Sequence, residues 1–470
     1  MGGDAPRAPS APHAAAAVKA LAVAAAAVAI ALGAVPLATM PLTAQSPSLA
    51  PAERRMRDWI AARRDEQITY LQRVVDIPSG TMNFAGVRKN AEVFRASLDS
   101  LGFETRWVPL DSVRRAGHLV AEHRGRPGRK TILLLGHLDT VFEGAGQGWE
   151  LAPDDSLARG AGGSDMKGGN VVALYALKAL AAAGRLKEAN IILVFTGDEE
   201  MAGEPYAVSR RDLIEAGQRS DVALAFEAGT PGLAVVARRS STGWRLTVSA
   251  RQGHSSGVFS EGSGYGAIYE AARIVNAFRE RLAGRPYLTF NPGIIAGGAE
   301  AELDSAGVRA AAAGKSNIIA PRAVVDGDLR TISDAQRDSA RAVMREIVAQ
   351  NLPGTAAGIA FDDGYPAMSP TPANQALLER YSEVSRALGQ GPVAPHDPAR
   401  RGAGDISFIA PIVPASLDGL GADGSGGHSP DERVNVNTLA PQTMRAAVLI
   451  DRIARERSVR TPRSSGGARP

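Results

Sequence analysis

Apolar residues recur at helical spacing early in the chain: Trp59, Ile60, Ile68, Leu71 and Val74 mark one amphipathic stretch over 52–75, and 84–101 repeats the pattern. Both stretches predict helices. Short, wholly apolar runs then alternate with helical segments: 131–135, a helix over 167–183, 191–195, then 222–226. Apolar runs without polar alternation belong to strands covered on both faces, so this rhythm predicts an α/β domain with a largely buried sheet. The texture changes near Ser240, where Trp244, Leu246 and Val248 alternate with Arg245, Thr247 and Ser249. A helix over 265–282, a strand near Tyr287, a strand over 323–329 and a helix over 334–350 follow, which together predict a small α+β insert. The α/β texture resumes with a helix over 372–388 and ends with one over 442–457. No internal repeat interrupts this plan, and the tail 458–470 reads as disordered.

The N-terminus reads as targeting. Arg7 and Lys19 precede an apolar run over 20–34 that ends near Pro36, and small residues continue through Leu42-Thr43-Ala44. This predicts a secretory signal. The alternative is an uncleaved anchor, because the weakly polar run extends to Met40 and approaches the ~20 residues that span a bilayer. Either reading exports the folded part, to the periplasm or beyond, with membrane attachment in the second case.

The chain has 470 residues, enough for about two or three domains, and 53 Lys+Arg against 49 Asp+Glu leave a net charge of +4. With 44% hydrophobic residues, this is a globular protein and no polyelectrolyte. The predicted pI near 9.4 does not indicate a nucleic-acid binder, because Arg452, Arg455, Arg457, Arg460, Arg463 and Arg469 crowd the C-terminal end. The absence of cysteine excludes disulfides, thiolate nucleophiles and cysteine-ligated metals, so any metal is held by His, Asp or Glu.

Chemistry concentrates where apolar strands end. Leu133-Leu134-Leu135-Gly136-His137-Leu138-Asp139 releases a histidine two residues before an aspartate, a spacing that puts both on one face, with Asp139 placed to orient the imidazole. The loop Gly160-Ala161-Gly162-Gly163-Ser164-Asp165 carries too many glycines for ordinary packing and opens a helix, where Asp165 is either an N-cap or part of a site. It lacks the GxxxxGK[ST] pattern of a phosphate loop. Asp198-Glu199-Glu200 leave a buried strand as three successive carboxylates, which read as a solvated acidic turn or as groups neutralised by a cation. Glu227 ends another strand, and His428 sits in a second glycine-rich loop, Gly424-Ser425-Gly426-Gly427-His428. Each signal alone is weak; their convergence on carboxylates plus two imidazoles suits two Zn²⁺ ions, with Co²⁺ or Mn²⁺ as alternatives.

The sequence resembles the di-zinc exopeptidases that include glutamate carboxypeptidase, acetylornithine deacetylase and succinyl-diaminopimelate desuccinylase, over about 52–457 and closest to the glutamate carboxypeptidase branch. The resemblance rests on GHLDTVF, RGAGGSDMKGGN, FTGDEE, FE, GHSS, SNII, DGDLR and GGHSPDE, in that order. It implies an α/β zinc-exopeptidase domain with a mixed sheet between helices, plus an inserted ferredoxin-like α+β domain that dimerises. The implied layout is 1–44 signal or anchor, 45–51 linker, 52–239 and 356–457 catalytic domain, 240–355 insert and 458–470 tail. Asp165 would bridge two zinc ions, with His137 and Glu227 on one, Glu200 and His428 on the other, Glu199 as general base and a cis peptide after Asp165. Asn317 and Arg330 would contact substrate, Arg330 gripping a free carboxylate unless it pairs with Asp326 or Asp328. His254 would reach into the active site of a second copy to stabilise the oxyanion, the alternative being an interface histidine satisfied within the insert.

The expected protein is therefore a secreted, homodimeric metallo-exopeptidase acting on small peptides or N-acyl amino acids. A deacylase or dipeptidase of the same chemistry is the alternative, and a silent zinc-binding homologue a more distant one. The segment over 393–405 departs from the carboxypeptidase pattern, so glutamate specificity does not carry over. His118, His123 and His396 match no motif and read as ordinary surface or strand residues, and Asp405 reads as a helix cap.

Overall fold

The computed structural model describes residues 48–144, 148–154, 156–304 and 307–459. The signal or anchor reading of 1–44 and the tail beyond Val459 lie outside the described residues. Helices α1 (Pro51–Ala61) and α2 (Arg64–Val75) replace the single helix predicted over 52–75. The chain leaves helical geometry at Arg63 (φ −126°, ψ 28°) and turns there, so that Met56 and Ile60 on one side and Leu71 and Val74 on the other all reach the core. Helix α3 (Phe84–Ser100) starts at Asn83, whose side chain accepts from the Gly86 N–H.

Strands β1 (Glu104–Leu110), β2 (Arg115–His123) and β3 (Thr131–His137) precede helix α4 (Gly168–Ala182), followed by β4 (Asn190–Thr196) and β5 (Val222–Ala225). With a short sixth strand, Ala415–Leu417, they form one sheet in the order β1-β2-β4-β3-β5-sixth. The strands from β4 to the sixth are parallel, whereas β1 and β2 pair antiparallel. Alternate residues of β3 feed two separate cores. Ile132 and Leu134 join α1 to α4 and the C-terminal helix Leu439–Ala454, while Leu133 and Leu135 pack with Leu213, Ile406 and Ile409 on the other face. Each such side chain contributes about 1.5–3 kcal/mol by leaving water, which is why these runs are apolar without alternation.

The insert has its own sheet and core. Strands β6 (Ser241–Ala250), β7 (Thr289–Gly298), β8 (Arg322–Arg330) and β9 (Thr355–Tyr365) lie antiparallel in the order β7-β8-β6-β9, with helices α5 (Ala267–Leu282) and α6 (Asp334–Val348) on one face. Trp244, Leu246 and Val248 point into that core, where Trp244 meets Phe278 edge-on at 5.6 Å, and Arg245, Thr247 and Ser249 stay partly exposed. The alternation predicted for this segment is thus a sheet covered on one face.

Candidate metal centre

Three parallel strands deliver their ends side by side. Register places His137 opposite Thr196 and Leu135 opposite Ala225, so His137, the Glu199–Glu200 turn and Glu227 emerge along one edge, where open α/β sheets hold ligands. The crossover helix α4 brings Asp165 to the same edge. Its first turn sits against the end of β5 because residue 169 is glycine: a Cβ there would lie 1.7 Å from the Phe226 carbonyl oxygen. The loop before it turns at Gly162 (φ +73°), and the Asp165–Met166 peptide is cis, as the resemblance implies. Asp165 is no helix cap, since the helix begins at Gly168, three residues on. His428 arrives from the loop between Gly424–Ser425 and Arg433–Asn435 in a left-handed conformation (φ 63°) that is costly for a side-chain-bearing residue and is found at functional sites.

The distances define a bridge. Asp165 Oδ1 lies 3.3 Å from His137 Nε2, and Oδ2 lies 3.3 Å from His428 Nε2. Glu227 stands 3.9 Å from His137 Nε2, and Glu200 stands 3.2 Å from His428 Nε2. Two groups of ligand atoms share Asp165: His137, Asp165 and Glu227, and Asp165, Glu200 and His428. A third group, His137, Glu199 and Glu200, does not include Asp165. Hard carboxylate oxygens and imidazole nitrogens fit divalent ions of the zinc, cobalt or manganese type. The His137 Nδ1 lies 3.0 Å from the backbone carbonyl of Asp139, which can only accept, so Nδ1 carries a proton and Nε2 is the nitrogen that faces Asp165 and would ligate a metal.

Electrostatics fit the same reading. Burial pushes Glu227 up to about 8 and Glu200 above the usual carboxylate range, and it drives Glu199 well above that range together with the neighbouring charges of Glu227, Asp405 and Glu200. Burial opposes the charge of Asp165, but hydrogen bonds from the two imidazoles hold it well below its ordinary value. The carboxylates of Asp165 and Glu200 raise His428 to about 10. Crowded carboxyls in a dry site oppose ionisation until a cation is present.

The family model for peptidase family M20/M25/M40 matches residues 133–452, which contain every one of these groups. The chain belongs to that family. Carboxypeptidase G2 of Pseudomonas sp. (strain RS-16) is 27% identical over 430 residues, covering 87% of this chain and 95% of the relative. Among solved structures, aminopeptidase PepT of Bacillus cereus superposes with a TM-score of 0.67 at 18% identity, over 83% of this chain and 99% of its own. The YXEP protein of Bacillus subtilis, described as a dinuclear metal-binding peptidase of the M20 family, superposes with a TM-score of 0.58 at 16% identity, over 84% and 99%. At these identities the structures establish the fold, an M20 catalytic domain with its insert. The chain is thus of a family of metal-dependent hydrolases.

Within this M20 fold several residues do work that the sequence reading placed elsewhere. Asp139 meets His137 mainly through its backbone carbonyl, while its carboxylate accepts from the N–H groups of Glu199 (3.0 Å) and Glu200 (3.1 Å) and from Thr81 Oγ1 (2.7 Å). It therefore holds the Glu199–Glu200 turn. Asp405 precedes a short helix, Ile406–Ile409, but makes no side-chain cap; it binds Arg210 and accepts from Thr196 Oγ1 at 2.6 Å. His118 is no surface residue: it is fully buried, its Nε2 2.7 Å from the Ser209 carbonyl and its Nδ1 accepting from the Gly197 N–H. Arg210 also binds Asp198 and the Tyr365 hydroxyl, which donates to the Glu199 carbonyl oxygen at 2.8 Å. Glu432, buried and missed in the sequence, accepts from the N–H groups of Gly162, Ser164 and Asp165 at 2.9–3.0 Å and so fixes the bridging loop.

The insert residues stand apart. Among the described residues, none of His254, Asn317 and Arg330 lines the cavity beside the cluster. His254 is exposed, with Nδ1 2.8 Å from Ser256 Oγ, and the Asn317 carbonyl accepts from the next residue, Ser255. Arg330 pairs with Asp328 at 3.0 Å, and Asp326 pairs instead with Arg245.

Proposed function

We propose that the chain is an exported metallo-exopeptidase that hydrolyses an amide bond next to a free carboxylate, with two Zn²⁺ ions held by His137, Asp165, Glu200, Glu227 and His428. The observation that carries this reading is the placement of the two Asp165 oxygens, each 3.3 Å from the Nε2 of a different histidine. Bound there, the ions supply Lewis acidity, which polarises the amide carbonyl and makes water acidic. Glu199 accepts the proton of the attacking water and passes it to the leaving nitrogen, a role open to a carboxylate that lines the cavity beside the proposed ligands without being one of them. Asp139 and Tyr365 hold the Glu199 backbone by its N–H and carbonyl and so fix where the side chain leaves the main chain.

The likeness to carboxypeptidase G2 along 87% of the chain supports the choice of a carboxypeptidase-like activity. The insert serves as the dimer contact in this proposal, and His254 completes the partner's site. Ile268, Tyr269 and Ile295 are exposed along α5 and β7, and β7 is an edge strand, features that favour association. Export rests on the N-terminal pattern alone.

Metal analysis with a panel of N-acetyl-alanyl-X peptides and N-acetyl amino acids tests the reading. It expects about two divalent ions per chain and turnover that a chelator abolishes. One ion or none after careful loading, or turnover indifferent to chelation, overturns it.

A further inference from the structure

The insert is rooted on the catalytic layer by two chain segments. One leads into β6: Arg238 exchanges backbone hydrogen bonds with Met368 at 2.9 and 3.0 Å, and the Ser240 N–H donates to the Thr331 carbonyl at 2.7 Å. The other leaves β9 through Tyr365 and Pro366. β9 pairs with β6 residue for residue, from Thr355 against Ala250 to Asp363 against Thr242, until its last step, where Gly364 and Tyr365 together face Ser241. This is a β-bulge, a device that re-aims the side chain beside it. Only glycine fits its extra position, since a Cβ on Gly364 would lie 2.3 Å from the Ser241 carbonyl oxygen.

Side chains alternate along a strand, so one extra residue changes the face on which Tyr365 emerges. Its ring meets Phe408 edge-on, with centroids 4.8 Å apart, and Tyr206 at 6.0 Å, both residues of the catalytic layer. Its hydroxyl accepts from Arg210 Nη2 at 2.9 Å and donates to the Glu199 carbonyl at 2.8 Å. A guanidinium can only donate, so Arg210 takes a lone pair of the phenol and leaves the hydroxyl hydrogen for Glu199. Among the described residues no other donor reaches that carbonyl. Arg210 is itself fully buried and fixed by Asp198 and Asp405. The hydroxyl thus meets a fixed partner on one side and the turn of the base on the other.

Resting on the function proposed above, in which Glu199 is the base, we infer that Tyr365 is a positioning residue through which the root of the insert sets the Glu199 turn. Asp139 holds that turn from within the catalytic layer, by the N–H groups of Glu199 and Glu200. Tyr365 holds the carbonyl that lies between those two N–H groups, and it does so from the last residue of an insert strand. A displacement of β9 at its bulge therefore reaches the base through one hydroxyl.

The metal-loaded full chain is compared with Y365F, G364A, their double variant and E199Q on the best peptide of the panel, with KM and metal content measured alongside kcat. Phenylalanine keeps the ring against Phe408 and Tyr206 and deletes the hydroxyl. Y365F lowers kcat about three- to tenfold, the fold-change of one net hydrogen bond, and leaves KM and metal content at the wild-type level. G364A crowds the bulge and lowers kcat as well, but in the Y365F background it costs about twofold or less, because the link it disturbs is already cut. Wild-type kcat in Y365F overturns the inference, and Y365F decides alone if G364A does not fold. Losses that multiply independently in the double variant also overturn it, since Gly364 then acts by packing alone. So does a loss of bound metal in Y365F, which puts the tyrosine behind the ligands instead of the base. E199Q separates this from the functional proposal. If E199Q turns over at the wild-type rate, the base assignment falls and the inference with it; an inactive E199Q beside an unimpaired Y365F removes the inference alone.

Discussion

The catalytic layer and the insert treat their polar side chains in opposite ways. Around the cluster every implied ligand converges on Asp165 or its neighbours, and the supports are backbone groups: Glu432 takes three N–H groups of the bridging loop, and Asp139 takes two from the Glu199–Glu200 turn. In the insert, His254 turns to Ser256 and Arg330 to Asp328, each through one nitrogen to a residue two positions away. The ends of parallel strands build a site from the fold itself. A residue on an antiparallel insert has no such edge to share, and a part in the chemistry, as proposed for His254, would depend on a second copy of the chain.

The comparison breaks most visibly at the adjacent glutamates. Glu199→Gln keeps about two metal ions and loses roughly 10²–10⁴ in kcat, because only the proton acceptor is removed. Glu200→Gln, 3.2 Å from His428 in the wild type, weakens metal binding instead. Metal analysis alongside single-turnover rates separates the two, and identical behaviour would undo the division of roles.

The next effect tests whether the insert acts on another copy. His254→Ala costs roughly 10²–10³ in kcat if the imidazole donates to the developing oxyanion. Mixing inactive Glu199→Gln chains with inactive His254→Ala chains restores activity after subunit exchange, since one site of each heterodimer then has both groups. Verified heterodimers that stay silent, or a fully active monomer, would return His254 to a local role beside Ser256.

Within the catalytic layer, Asp139→Asn removes a carboxylate that receives two backbone N–H groups and one hydroxyl. The amide retains one oxygen acceptor, so the turn loosens without collapsing. The expected loss is ~10–100-fold, typical of groups that orient a metal site from behind its ligands, with near-normal metal content. A loss confined to metal content would show that Asp139 acts mainly through His137.

Much of this layer was legible in the sequence, because a strand that ends in His137 or Glu227 and a glycine loop that ends in Asp165 leave chemical residues where packing does not require them. The same logic misread residues whose role is set by distant neighbours. Asp405 resembled a cap because it precedes a helix, yet its partner Arg210 lies 195 residues away. His118 resembled an ordinary strand residue, but β2 delivers it beneath the turn that carries Glu199. Spacing along one element finds side chains that share a face; it does not find partners joined only by the sheet order.

Thr81 is the finest test of that lesson, since it lies in a segment that carries no recognised motif and is nonetheless 1% exposed, donating to Asp139 Oδ2 at 2.7 Å. Thr81→Val keeps the shape and deletes the hydroxyl. A net hydrogen bond is worth about 0.5–1.5 kcal/mol, and Asp139 retains its two backbone donors, so the expected loss in kcat is about two- to tenfold with metal content unchanged. Thr81→Ser recovers most of it. Coupling gives the sharper readout: in the Asp139→Asn background the Thr81→Val change costs less than in the wild type, because the charged acceptor has already gone. Equal costs in both backgrounds would mean that Thr81 acts by packing alone, and that the chain of support from Thr81 through Asp139 to the base stops at Asp139.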